Sequence, residues 1–142
     1  MNVHGEAKLG ITSQTLDLRE RLFQFACVVV RVVQFLHTRG PVASALSYQL
    51  LKCGTSAGAN YEEADDGSST KDALSKRRIT LRELKEARFR LRVLRHCELL
   101  SKEHDPIINE SDELVRIVAT LVRKASTPTP KAVTAETQRR KD

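Results

Sequence analysis

Apolar residues recur along this chain at spacings of three and four, in four stretches set apart by short polar or Gly/Pro breaks. The first stretch runs from Leu16 to about Thr38, where Leu22, Phe25, Ala26, Val29, Val32, Val33 and Leu36 form one stripe. Val28, Val30 and Phe35 fall outside that stripe. Its CVVVRVV run has the β-branched composition of a strand. A helix is predicted instead, because the segment passes without a turn signal over far more than the ~5–6 residues of a usual strand. A helix apolar on more than one face is buried from more than one side, which points toward oligomerisation.

Gly40-Pro41 ends this helix and places a proline at the first turn of the next, predicted over residues 42–66. Leu46, Leu50, Cys53, Ala57, Tyr61 and Ala64 line one of its faces. Gly54, Ser56, Ala57, Gly58 and Ala59 crowd its middle with small side chains, although each Gly costs roughly 1 kcal/mol against Ala in a helix interior. Small side chains let two helix backbones come nearer than the usual ~8–10 Å, so these five residues are predicted to form a close-packing surface. Asp66 to Thr70 breaks the pattern, with Ser69 or Thr70 available as an N-cap. A third helix is predicted over 71–101, and Asp105-Pro106 reads as the next turn. Asn109 or Ser111 can cap a fourth helix that carries Leu114, Ile117, Val118 and Leu121 to about Ala125.

Residues 1–14 are polar and aperiodic and are expected to be a flexible arm. Residues 126–142 hold two prolines and lack bulky apolar residues apart from Val133, and are expected to be a disordered tail. The predicted fold is all-α: an antiparallel up-down-up-down four-helix bundle over residues 15–125, long enough for a core without staples.

The third helix changes the picture most. Ala73, Thr80, Leu84, Ala87, Leu91 and Leu94 form its core stripe, and Ile79, Phe89, Val93, Cys97 and Leu100 form a second apolar stripe, a candidate subunit interface. Between them lies a basic face of Arg77, Arg78, Arg82, Lys85, Arg88, Arg92 and Arg95. The window from Lys71 to Arg95 holds ten Lys or Arg against three Asp or Glu, a local excess of seven in a chain of net charge +6. Such a ridge can follow a phosphate backbone, with salt-dependent, sequence-indifferent binding. It can also be a solvated or salt-bridged face, or dock an acidic protein. Glu62, Glu63, Asp65 and Asp66 can pair with Lys71, Lys76 and Arg77, which accounts for the start of the run but not for Arg82 to Arg95. With two tyrosines and four phenylalanines, mostly at core-like positions, base stacking finds little support in the sequence.

Catalytic and metal chemistry find no motif. GTSAG contains G-x-S-x-G but lies inside a helical pattern instead of a strand-to-helix turn, and no phosphate-binding G-x-x-x-x-G-K-[ST] is present. Glu86 and Arg90, four apart, are expected to pair within the helix. Cys27, Cys53 and Cys97 fall one in each of three helices and are expected to be free, buried thiols of a reducing compartment. The four histidines show no ligand spacing with them, so neither a metal nor a cofactor is expected. The N-terminus lacks the pattern of a signal peptide and the longest apolar run is short of the ~20 residues of a membrane span, so a soluble cytoplasmic protein is expected.

The block QLLKCGTSAGANYEEA, followed by SSTKDALSKRRITLRELKEARFRLRVL, resembles the four-helix-bundle family associated with intervening sequences of bacterial 23S ribosomal RNA, which is related to accessory variability proteins of diversity-generating retroelements. The resemblance covers roughly residues 15–125 and rests most on Gly54, Thr55, Ser56, Gly58, Ala59 and Asn60. It implies an antiparallel bundle that assembles into a ring-like homo-oligomer, commonly a pentamer, and for the retroelement branch binding of nucleic acid and a reverse transcriptase. It implies no established activity for most members. The expected function is therefore non-enzymatic: an oligomeric bundle contacting structured RNA or DNA through Arg78, Arg82, Lys85, Arg88, Arg92 and Arg95. The alternative is a scaffold docking an acidic protein partner without nucleic acid.

Overall fold

The computed structural model describes residues 17–66 and 69–127; the expected arm at 1–14 and all but the first two residues of the expected tail at 126–142 lie outside them, and Ser126 belongs to the last helix. Among the described residues the chain forms four α-helices: α1 (Leu18–Leu36), α2 (Pro41–Asp65), α3 (Thr70–His96) and α4 (Asp105–Ser126), with a short 3-10 turn at Lys102–His104. The short connections make neighbours antiparallel. α2 packs against both α1 and α3, α4 packs against α3, and α1 and α4 meet more sparingly to close the bundle. This is the expected up-down-up-down four-helix bundle, and the valine run is helical.

Local chemistry sets the helix ends. Asp17 accepts the Glu20 amide at 2.9 Å to cap α1. Gly40 adopts φ +100°, a conformation L side chains rarely take, and lets Pro41 begin α2 directly. Ser69 accepts the Asp72 amide at 3.2 Å, as expected of an N-cap for α3. Two boundaries differ from expectation. α3 stops at His96, and the positive φ of Glu98 turns the chain so that Leu100 is buried in the core at 2% exposure. α4 starts at Asp105, ahead of both expected caps, because Pro106 sits in its first turn where its missing N–H costs nothing. His104 Nδ1 accepts the Ser101 amide at 3.1 Å, and its ring lies 4.9 Å from that of Phe35, fixing this turn against the end of α1.

The core is built from Leu22, Phe25, Val29 and Leu36 of α1, Leu50, Cys53 and Ala57 of α2, Leu84, Ala87, Leu91 and Leu94 of α3, and Ile107, Leu114 and Val118 of α4. Val28 joins it, whereas Ala26 is half-buried and Leu46 faces outward. The small-residue block serves two neighbours. A Cβ on Gly54 would stand 2.7 Å from a Val29 methyl, and one on Gly58 would touch the Leu22 backbone at 3.5 Å, so this face admits α1 closely. Ala57 turns toward α3, where its carbonyl accepts the buried Thr80 hydroxyl at 3.0 Å. Ser56 is half-buried and Ala59 is exposed, so Ala59 is not part of the close-packing surface: the helical period carries it to the solvent side.

Candidate functional site

Seen down the axis of α3, Thr80, Leu84, Ala87, Leu91 and Leu94 point into the bundle, as their spacing predicts. The basic residues divide into two groups. Arg88 reaches Asp112 of α4 at 3.0 Å, and Arg95 reaches Asp105 at 2.9 Å. Both are half-buried tie-bars between α3 and α4, a role set by their position one step from the core stripe. At the start of the helix, Lys76 pairs with Glu63 at 2.8 Å and Arg77 with Asp65 at 3.2 Å, and the Arg77 guanidinium also lies over the Tyr61 ring at 5.6 Å. Glu62 and Asp66, expected to serve the same run, turn instead to Arg19 of α1 at 3.4 and 3.5 Å. Glu86 and Arg90 form the expected intrahelical pair at 3.0 Å.

Arg78, Arg82, Lys85 and Arg92 remain exposed on the side of α3 facing away from the core. Arg82 has only a loose 3.8 Å approach to Glu83, and Arg78, Lys85 and Arg92 make no ion pair with any described residue. Their spacing of four, three and seven places them in one row that continues to His96 and spans about 21 Å from Arg78 to Arg92 at 1.5 Å per residue.

The second apolar stripe does not form a single surface. Ile79 and Val93 are half-buried, Leu100 belongs to the core, and Cys97 is exposed at the helix end, contrary to its expected burial. Phe89 is 61% exposed and stands within the cationic row, one turn after Lys85 and one turn before Arg92. Beside it opens a recess of about 600 Å³ bounded by Phe89, Arg92, Val93, His96, Cys97 and Ile108. The ridge and part of the expected interface thus share one face.

Of the other thiols, Cys27 is half-buried and Cys53 buried, the latter held by desolvation at a pKa of about 11. No group of three metal-ligating side chains occurs among the described residues, and no helix among them is long and apolar enough to cross a membrane.

One charged cluster is not anticipated by the helical stripes. Arg21 of α1 donates to Glu110 of α4 through Nε at 3.1 Å and Nη2 at 2.7 Å, both side chains over nine-tenths buried, and a second carboxylate, Glu113, closes on the same guanidinium. The hydrogen bond to Glu110 is the main reason the Arg21 pKa lies above its ordinary value, with desolvation opposing it. A signal for it exists in the chain: Arg21 stands four before Phe25, and Glu110 between Ile107 and Leu114, so opposite charges occupy core positions on two helices.

The curated proteins contain no match to this chain. Among solved structures, a protein of unknown function from the S23 ribosomal protein family of Bacteroides thetaiotaomicron VPI-5482 shares 28% identity and a TM-score of 0.68, over 75% of this chain and 98% of that one. The model of the 23S rRNA-intervening sequence protein family matches residues 14–120, which include all of α1, α2 and α3 and most of α4. The chain therefore belongs to the 23S rRNA-intervening sequence protein family.

Proposed function

We propose that this protein is a non-enzymatic bundle that binds structured RNA or DNA electrostatically through the outer face of α3. The observation that carries the reading is the exposed row Arg78, Arg82, Lys85 and Arg92, which no described carboxylate neutralises apart from the loose approach of Glu83 to Arg82. Arg88 and Arg95 stand in a different role, holding α4 in place beside the row. A cation row on a rigid helix meets a polyanion by releasing its counterions, so affinity falls steeply with salt. Assembly into a homo-oligomer, a pentamer if it follows the resemblance, would repeat the row and add the sites multivalently. That part is supported by Phe23 and Val30, 53% and 38% exposed, which flank half-buried Cys27 on the outer face of α1.

Fluorescence anisotropy with mixed-sequence RNA and DNA across a salt series tests the proposal, with the solution mass of the chain measured alongside. Binding is expected at low salt, and replacing Arg78, Arg82, Lys85 and Arg92 by Gln should flatten the log–log salt dependence by about 0.7–0.9 for each phosphate no longer neutralised. Binding that is absent at low salt, or untouched by the four substitutions, overturns it.

A further inference from the structure

The row of cations on α3 is interrupted once, by an aromatic ring. Phe89 is the most exposed phenylalanine among the described residues, and Lys85 and Arg92 flank it at one helical turn, about 5 Å along the axis on each side. A solvent-facing phenylalanine loses the benefit of burying a large apolar side chain, so its placement amid like charges calls for a partner that satisfies both. A regular duplex meets this row with phosphates alone and leaves the ring in water. A strand with an unpaired nucleotide offers a flat π-face for the ring and a phosphate on either side for the two cations, the combination found in single-strand grooves. The recess next to Phe89 has room for the base: about 600 Å³ lies within the range of small-molecule sites, with Val93, Cys97 and Ile108 as apolar wall, Arg92 and His96 beside them, and Glu98 and the Arg95–Asp105 ion pair completing the lining.

We infer that Phe89 is a stacking platform for an unpaired nucleobase, with Lys85 and Arg92 holding the adjoining phosphates. This deepens the nucleic-acid reading and rests on it: the ligand class becomes loops, bulges or single strands instead of continuous duplex. The ring supplies the preference, and the cations supply most of the affinity.

The test compares two labelled RNA probes of equal phosphate count, a hairpin with an unpaired loop and a fully paired blunt duplex, by anisotropy on the full chain. Phe89→Ala is expected to weaken the hairpin about five- to a hundredfold while leaving the duplex and the salt dependence unchanged, and Phe89→Trp to match or exceed the parent. Arg82→Gln with Arg92→Gln should weaken both probes alike. Phe89 is exposed, so the variants should melt as the parent does. An equal loss on both probes, or no loss on the hairpin while the arginine variant still weakens it, overturns the stacking platform and leaves the electrostatic reading standing. If neither probe binds the parent at low salt, the electrostatic reading itself fails. A change in solution mass on Phe89→Ala would place the ring between copies of the chain and overturn the inference as well.

Discussion

Gly54 and Gly58 look alike in the sequence and do different things in the fold. A Cβ at Gly54 meets both Val29 methyls, at 2.7 and 2.9 Å, and a β-branched side chain in a helix has almost no second rotamer to retreat to. Gly54→Ala should therefore destabilise by about 1–2 kcal/mol, the overpacking cost exceeding the gain in helix propensity. Gly58→Ala places its Cβ at 3.4–3.6 Å, ordinary packing distance, and should leave stability unchanged or raise it by up to about 1 kcal/mol. Urea titrations of the two variants check the difference, and adding Val29→Ala should recover part of the first loss. Cys53 makes a second prediction at this scale. Its buried thiol has a pKa raised to about 11 from 9.0, so the unfolded chain gives up that proton first as pH rises. Its contribution to stability is then full below about pH 9 and is lost toward pH 11; a Cys53→Ala variant should show a flatter alkaline limb in the same titration.

At the scale of elements, periodicity carried most of what was legible. The core stripes of α2 and α3, the Gly40-Pro41 break and the Ser69 cap are local facts, each contained in a few adjacent residues. The end of α3 and the start of α4 were not, because Pro106 is compatible with both a turn and a first helical turn, and the turn before it is held by a contact from another helix, the tilted packing of the His104 ring against Phe35. The division of the basic face followed the same rule. Nothing in the spacing of Arg88, Arg92 and Arg95 says that the first and last have carboxylates within 3 Å on α4 while the middle one has none; that depends on where α4 lies. The place of Phe89 between Lys85 and Arg92 is already contained in their spacing of four and three; what the sequence does not contain is that no neighbouring helix covers the ring.

For the molecule as a whole, the least secured seam is the one between α1 and α4, the first and last helices, and the Arg21–Glu110 pair sits in it. Arg21→Ala strands the buried Glu110 carboxylate and should cost about 3–5 kcal/mol, whereas Glu110→Ala leaves Arg21 its second carboxylate, Glu113, and should cost less. Arg21→Met combined with Glu110→Leu should recover most of the larger loss, because well-packed apolar replacements of a buried pair are often neutral. Thermal melts of the three variants distinguish the outcomes, and a double variant as unstable as Arg21→Ala would show that the seam needs the charges themselves.

The up-down order of the helices has a practical consequence for measurement. Leu18, where α1 begins, and Ser126, where α4 ends, lie at the same end of the bundle as the start of α3, and Phe89 is about 20 Å or more away along the axis. A fluorophore or surface tether placed at the exposed Ser126 is therefore attached at the end of the bundle remote from the recess. Attachment through the exposed Cys97 would do the opposite, placing the label on the recess wall and turning the thiol into a proximity reporter for whatever enters.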